Sequence, residues 1–290
     1  MDRVGPALTW ATARLGAVGI EGPRAEARLL LEHATGLTRV RQLADPHAPL
    51  SADVQASLAR LVEQRATRMP LAYILGRREF HGHELEIRPG VLVPRPETET
   101  LVDAACRLLP DRAARLRVLD LGIGSGCLLL AVLALFPNAT GTGTDLSDQT
   151  LAVAEANAVR LGLADRARLV RTSWGRGLEP AFDLILANPP YIATADLASL
   201  EPEVAVHEPR LALDGGEDGL DAYRALTPDL LRLLAPAGVA LIEIGRGQEA
   251  ALGAWFGQHG LEVSTWPDLA GIARCLELRP AGNRPSGAGF

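Results

Sequence analysis

The chain has no lysine, and all 29 of its basic residues are arginine. A catalytic lysine is therefore excluded, and the bias itself reads as the imprint of a GC-rich genome. Cysteine is scarce. Cys106, Cys127 and Cys275 lie far apart, which argues against a disulfide framework or a zinc site and suits a reducing cytosol. No apolar run approaches the ~20 residues of a membrane helix, and no basic segment followed by an apolar one marks a secretory signal. Positive charge is in deficit too, with a formal net charge of −6, whereas a dedicated duplex-DNA binder usually carries an excess. These absences lead us to expect a cytoplasmic protein with no membrane partner and no stable nucleic-acid binding.

What is present is an ordinary globular composition, 48% apolar and 22% charged over 290 residues. That is enough for one large domain or two of average size. Apolar spacing predicts helices over 6–18, 23–35 and 51–68, with Pro23 in a first turn, Gly36 at a helix end and Ser51 as a cap. We read 1–75 as a small helical domain. Phe80, Leu85, Ile87, Val91 and Val93, interrupted by Gly82 and Pro89-Gly90, suggest a linking β-hairpin across 76–95.

From 96 to 280 strands and helices alternate. Strands are predicted at 117–121, 140–145, 167–172, 182–187, 239–244, 261–265 and 273–278, and helices at 96–109, 127–136, 147–161, 221–234 and 248–259. Such alternation implies an α/β fold with a mostly parallel, doubly wound, Rossmann-like sheet. The last two strands have no helix between them and predict an antiparallel addition at one edge. Residues 281–290 read as a flexible tail.

Two segments carry chemistry. Val118-Leu119-Asp120-Leu121-Gly122-Ile123-Gly124-Ser125-Gly126 is a strand entering a glycine-rich turn and a helix, where backbone amides can face a ligand. Asp145 ends the next strand, where a carboxylate can accept from both ribose hydroxyls. The spacing is G-x-G-x-G rather than the dinucleotide G-x-G-x-x-G, and a tight turn without ligand is the alternative. Asp120 either touches ligand or orients the loop. The second segment, Asn188-Pro189-Pro190-Tyr191, ends a buried strand, because prolines cannot extend it as ladder donors. It offers an amide oxygen, a proline carbonyl and a ring, which together can hold and cover a planar NH2 group. A strand terminator is the bland reading. Combined with the glycine loop, the tetrad points to S-adenosylmethionine as cofactor and S-adenosylhomocysteine as product.

Other residues stay open at this stage. Trp174 is a cofactor contact or core. Phe80 is hairpin core or cofactor cover. His207 with Glu208 reads as a solvated or capping pair rather than an acid–base pair, and His81 and His83 as non-metal.

Nearly the whole chain resembles the HemK-type protein-(glutamine-N5) methyltransferases, which modify class 1 peptide chain release factors. The resemblance is carried by Arg68-Met69-Pro70-Leu71-Ala72-Tyr73-Ile74-Leu75-Gly76, by Phe80-His81-Gly82, and by Val91-Leu92-Val93-Pro94-Arg95-Pro96-Glu97-Thr98-Glu99. Glu208-Pro209, 215–220, Glu243-Ile244-Gly245 and 268–271 also fit. It implies a class I S-adenosylmethionine-dependent methyltransferase with seven strands, acting on the Gly-Gly-Gln glutamine of a release factor, with the helical domain docking that substrate and the chain a monomer. Gly122, Ile123, Gly124, Ser125 and Gly126 would line the methionine part of the cofactor, Asp145 its ribose and Trp174 its adenine, with Asp120 and Asn188 also among the cofactor contacts, and Asn188 to Tyr191 would hold the glutamine. The family often has an acidic residue where Ser173 stands, so no adenine-amino contact is expected there. The competing readings are an amino-methyltransferase acting on nucleic acid or on a ribosomal protein glutamine, and a binding protein that senses the cofactor without catalysis.

Overall fold

The computed structural model describes residues 1–282, so the predicted tail lies outside the described residues from 283 onward. The described chain divides into two units, 1–77 with 201–207, and 78–200 with 208 to the C-terminal end.

The first unit contains helices α1 (Val4–Gly16), α2 (Pro23–Thr35), α3 (Arg39–Ala44), α4 (Ala52–Ala66) and α5 (Leu71–Leu75). Leu15, Leu30, Leu31, Leu58 and Val62 are wholly buried in its core. Helix α1 starts two residues before its expected position, because the amides of Val4 and Gly5 donate to the carbonyls of Ala48 and Pro46 at 3.1 and 2.8 Å. Those bonds satisfy first-turn donors that have no partner inside a helix. Ser51 caps α4 by accepting from the Val54 amide. The segment 201–207 joins this unit through charge. Glu203 takes Arg65 at 2.8 Å and Arg68 at 2.7 Å, and Arg65 also holds Glu26 at 2.6 Å. Arg65 is 5% exposed, and a buried guanidinium is tolerable only when paired and hydrogen-bonded. Nothing in the local sequence announces this reach across more than a hundred positions.

The second unit opens with a two-stranded hairpin, β1 (Arg77–Phe80) and β2 (His83–Glu86). Val91 and Val93 fall outside it, a shorter hairpin than their apolar character suggested. A 3-10 turn, Pro96–Thr98, leads into α6 (Glu99–Leu108). Then follow β3 (Arg117–Leu121), α7 (Cys127–Leu135), β4 (Thr140–Asp145), α8 (Asp148–Arg160), β5 (Ala167–Arg171), β6 (Phe182–Ala187), the short α9 (Pro202–His207) of the first unit, α10 (Asp221–Leu233), β7 (Leu234–Glu243), α11 (Glu249–Gln258), β8 (Leu261–Pro267) and β9 (Ala273–Pro280). Pro280 closes β9, and Ala281, assigned to the tail, donates its amide to the Gly260 carbonyl at 3.0 Å.

The seven strands run in the order β5-β4-β3-β6-β7-β9-β8. The first five of these are mutually parallel, and β9 is antiparallel to both β7 and β8. Strands β3 and β6 are near-continuous apolar runs, as strands covered on both faces require. Helix α7 (CLLLAVLAL) is apolar all round and buried from Leu128 to Leu133, as a helix sunk in the interior requires. Tyr223, Leu226, Leu230 and Leu233 of α10 pack with Leu252 and Phe256 of α11 in the same core as Ile185 and Ile242.

Strand β4 (TGTGTD) looks too poor in side chains for the interior of a sheet. Space explains it. A Cβ on Gly141 would come within 2.5 Å of Leu129 Cδ1, and one on Gly143 within 2.1 Å of Ile123 Cδ1 and 3.2 Å of Ile123 Cβ. The missing side chain at 143 is filled by an isoleucine of the glycine loop. Gly143→Ala is expected to cost about 1–3 kcal/mol through overpacking, with part recovered by adding Ile123→Val, which deletes the closest atom. Denaturant unfolding of the single and double variants checks this, and an equal loss in both would refute it.

Candidate functional site

Parallel register places four strand ends in a row. Leu121 pairs with Thr144 on one side and Ala187 on the other, and Ala187 pairs with Ile242. The residues just past these pairs are the glycine loop, Asp145, Asn188 and Glu243. Ligands of open α/β sheets bind at this carboxyl edge, where the strand order reverses.

The glycine loop is held from below. The amides of Gly122 and Ile123 both donate to the Thr144 carbonyl, at 3.0 and 2.8 Å. Gly122, Gly124 and Gly126 have φ of 79°, 57° and 86°, a region that side chains with a Cβ rarely enter. Ile123 and Ser125 are buried, and the Ser125 carbonyl accepts from Asn157 Nδ2 at 2.9 Å. The same Asn157 side chain pairs with the backbone of Glu86 in β2, at 2.6 and 3.0 Å, tying the hairpin to the loop.

Asp120 lies beneath the loop, 1% exposed. Its Oδ2 accepts the Leu129 amide in the first turn of α7 at 3.2 Å. Of the two roles open to it in sequence, orienting the loop and helix is the one this bond serves. Burial pushes its carboxyl up to about 7, with the Leu129 bond opposing and the charge of Asp145 adding. Asp145 is half-buried. Its oxygens accept from Gly124 at 3.3 Å and Ser147 at 3.0 Å, and a carboxylate offers about four lone-pair sites, so acceptor capacity remains toward the cleft. Burial raises its pKa as well.

Trp174 is half-buried with φ 47°, a costly backbone for a bulky residue. A side chain on Gly122 would meet its ring at 3.7 Å, so the indole stands beside the loop. The chain therefore presents a glycine turn open at Gly124, where an added Cβ would meet nothing within 4 Å, next to one carboxylate and one indole. That donor set suits the amino-acid, ribose and adenine parts of S-adenosylmethionine.

At the end of β6, Pro189 is buried while Asn188, Pro190 and Tyr191 are partly exposed. Asn188 Nδ2 donates to Thr98 Oγ1 at 3.3 Å. The Tyr191 hydroxyl donates to Glu243 Oε1 at 3.3 Å, and burial, then the Glu243 charge, raises its pKa. Glu243 is 1% exposed, and burial pushes its carboxyl up to about 7, with nearby Thr98 and Arg274 and the Tyr191 hydrogen bond opposing. Gln248 clamps the chain behind the tetrad. Its Nε2 donates to the Tyr191 carbonyl at 3.0 Å, while its Oε1 accepts the Gly245 amide at 2.8 Å. Sequence reasoning missed Gln248, and it missed the roles of Thr98 and Glu243, although both stand in quoted motifs.

Glu208 departs from expectation, and Phe80 resolves to one of its two alternatives. Glu208 is not solvated. It pairs with Arg95 at 2.5 Å and accepts the Val93 amide at 3.3 Å, anchoring the Pro94-Arg95-Pro96 segment, while His207 approaches the Thr67 carbonyl at 3.3 Å. Phe80 is 1% exposed and belongs to the interior.

Asp120 gives a pH signature. Because its folded pKa exceeds the unfolded value of 3.8, the native state binds more protons, and its contribution to stability falls as pH rises from about 4 to about 7. Asp120→Asn is expected to gain stability relative to wild type across that window and to run parallel above it. Urea midpoints read at several pH values check this, and a pH-independent difference would refute it.

The comparisons agree with this geometry. The family model described as PrmC N-terminal domain matches residues 6–76, and the one described as Methyltransferase small domain matches 98–213. The release factor glutamine methyltransferase of Caulobacter vibrioides is 48% identical over 91% of this chain and 92% of its own length. Those of Rhodospirillum rubrum, at 45% over 92% and 82%, and Bradyrhizobium diazoefficiens, at 43% over 92% and 91%, are similar. Among solved structures, the N-terminal domain of human METTL16 in complex with SAH superposes with a TM-score of 0.52 at 16% identity, over 92% of this chain and 93% of that one, a likeness of fold alone. With a match this close along nearly the whole chain, and with the loop, carboxylate and tetrad assembled at one sheet edge, this protein belongs to the release factor glutamine methyltransferase family.

Proposed function

We propose that this protein transfers a methyl group from S-adenosylmethionine to the side-chain amide nitrogen of the Gly-Gly-Gln glutamine in class 1 peptide chain release factors. The relatives named for that reaction support it. The observation that carries the chemistry is the Asn188 amide, whose NH2 is engaged by Thr98, leaving its oxygen as an acceptor at the strand end. We assign Gly122 to Gly126 to the methionine part of the cofactor, Asp145 to the ribose hydroxyls and Trp174 to the adenine face, with Asp120 holding the loop.

Bound there, the cofactor supplies an electrophilic methyl group on a sulfonium sulfur. The protein's part is to present a weak nucleophile. An amide nitrogen is poor in reactivity because its lone pair is delocalised into the carbonyl. Asn188 Oδ1 and the Pro189 carbonyl each accept one N–H of the glutamine, which aims the nitrogen lone pair out of the amide plane toward the methyl. Tyr191 packs on that plane and excludes water. The nitrogen gains the methyl and gives up one proton, and S-adenosylhomocysteine is the other product. In-line positioning alone can supply ~7–11 kcal/mol of the barrier, so no strong base is required.

We assign the docking of the protein substrate to the helical unit. Leu29, Val40 and Leu43 are exposed there beside Arg39 and Arg41, an apolar and basic surface suited to protein. With a net charge of −6, the chain is read as acting on protein rather than nucleic acid, as a monomer, in the cytoplasm. No helix of the described residues is long and apolar enough to cross a membrane.

Labelled S-adenosylmethionine is expected to mark a purified release factor and not its Gln→Ala variant in the Gly-Gly-Gln loop. Label on both, or on naked RNA or DNA instead, would overturn this reading. Asn188→Ala is expected to lower turnover by about a hundredfold or more, on the scale of losing one well-placed polar contact to the reacting group, with cofactor affinity nearly unchanged in a calorimetric titration.

A further inference from the structure

Pro189 and Pro190 have no N–H, so the tetrad cannot be held along its length by ladder bonds, as a strand is. More of its backbone support has to come through carbonyls. At its far end that support is Gln248, the residue directly before α11. The Gln248 side chain makes no cap bond to that helix and turns back across the sheet edge. Its Nε2 donates to the Tyr191 carbonyl at 3.0 Å and to the Gly219 carbonyl at 3.3 Å, and its Oε1 accepts the Gly245 amide at 2.8 Å.

The partners dictate the orientation of this carboxamide. A backbone carbonyl cannot donate and a backbone amide cannot accept, so only one of its two orientations meets all three groups. Three separate segments thus converge on one side chain: the tetrad, the 215–220 turn and the turn after β7. Two glycines make room for the convergence. A Cβ on Gly219 would come within 2.5 Å of the Tyr191 carbonyl oxygen and 2.9 Å of Gln248 Nε2. A Cβ on Gly245 would come within 2.9 Å of Gln248 Oε1 and 3.1 Å of Cδ2 on the Tyr191 ring. Gln248 therefore holds the Tyr191 backbone, while the bare Gly245 admits its ring. The ring's far end is tied separately, by the hydroxyl bond to Glu243 Oε1 at 3.3 Å.

We propose that Gln248 is a positioning residue for methyl transfer, its NH2 anchoring the Tyr191 carbonyl so that the tyrosine ring is set against the plane of the substrate amide. Gln248 touches neither substrate nor cofactor in this account, and its effect runs through Tyr191. The inference rests on the reading of the tetrad as the holder of the substrate glutamine.

The test uses the full chain with a release factor and S-adenosylmethionine, and compares Gln248→Glu, Gln248→Met, Asn188→Ala, Tyr191→Ala and the Gln248→Met/Tyr191→Ala double variant. Glutamate keeps the length of the side chain and the acceptor facing Gly245, and replaces the NH2 by an oxygen facing two carbonyls. Methionine keeps the length without a charge and removes donor and acceptor together, so it decides the matter should the glutamate variant fail to fold. Turnover is expected to fall about 10- to 100-fold in both, the range spanned by one polar group left without its partner. Release-factor KM and the calorimetric affinity for the cofactor, whose proposed contacts lie on other strands, are expected to change little. In the Tyr191→Ala background the methionine substitution is expected to add nothing further, because residues acting through one another are non-additive. Wild-type turnover by Gln248→Met beside an inactive Asn188→Ala overturns the positioning role and leaves the functional reading standing. An Asn188→Ala enzyme as fast as wild type overturns the reading of the tetrad and this inference together. Parallel losses of turnover and cofactor affinity, or additive losses in the double variant, assign Gln248 a merely structural role and overturn the inference alone.

Discussion

The parallel pairing of β3 with β4 on one side and β6 on the other governs everything at this site. Backbone hydrogen bonding fixes Leu121 opposite Thr144 and Ala187, and each strand then releases its chain at the same edge. A one-residue slip would turn every side chain of a strand to the other face and would carry Asp145 or Asn188 out of the cleft. The β3–β4 register is defended twice. Ile123 fills the space left by Gly143, and the Thr144 carbonyl accepts two amides of the loop. The loop and β4 are thus built to fit each other, which explains glycines in a strand interior that propensity alone would disfavour.

Burial of carboxyl groups is the second organising feature. Asp120 and Glu243 are each 1% exposed and pushed up to about 7 by that burial. Burying an ionisable group is unfavourable unless its bonds are met, so these residues lower stability at neutral pH. What they provide is direction. Asp120 accepts the Leu129 amide at the start of α7, and Glu243 accepts the Tyr191 hydroxyl, so each holds a donor from behind the site.

Much of this was legible along the chain. β3 and β6 have the bounds that apolar runs and punctuating glycine and proline predict, and Ser51 and Ser147 cap the helices that follow them. Local signals suffice for such elements, because the apolar period and the cap are written in contiguous residues. The failures are equally physical. The early start of α1 depends on carbonyls more than forty residues away. Glu208 looked solvated because its partner Arg95 is distant in sequence. Glu203 gives no local sign that it joins the helical unit through Arg65 and Arg68.

The division between sequence and structure is sharpest at the tetrad. Sequence alone determined that a strand ends at Asn188, that a glycine turn follows β3 and that a carboxylate ends β4, since prolines, glycines and hydrophobic runs act on their own backbone. It also carried the family. Only the tertiary structure brought Thr98, 90 positions earlier, against the Asn188 NH2 and Glu243 of the neighbouring strand against the Tyr191 hydroxyl, because the parallel register sets these strand ends side by side. Nothing in the tetrad's own segment names either partner.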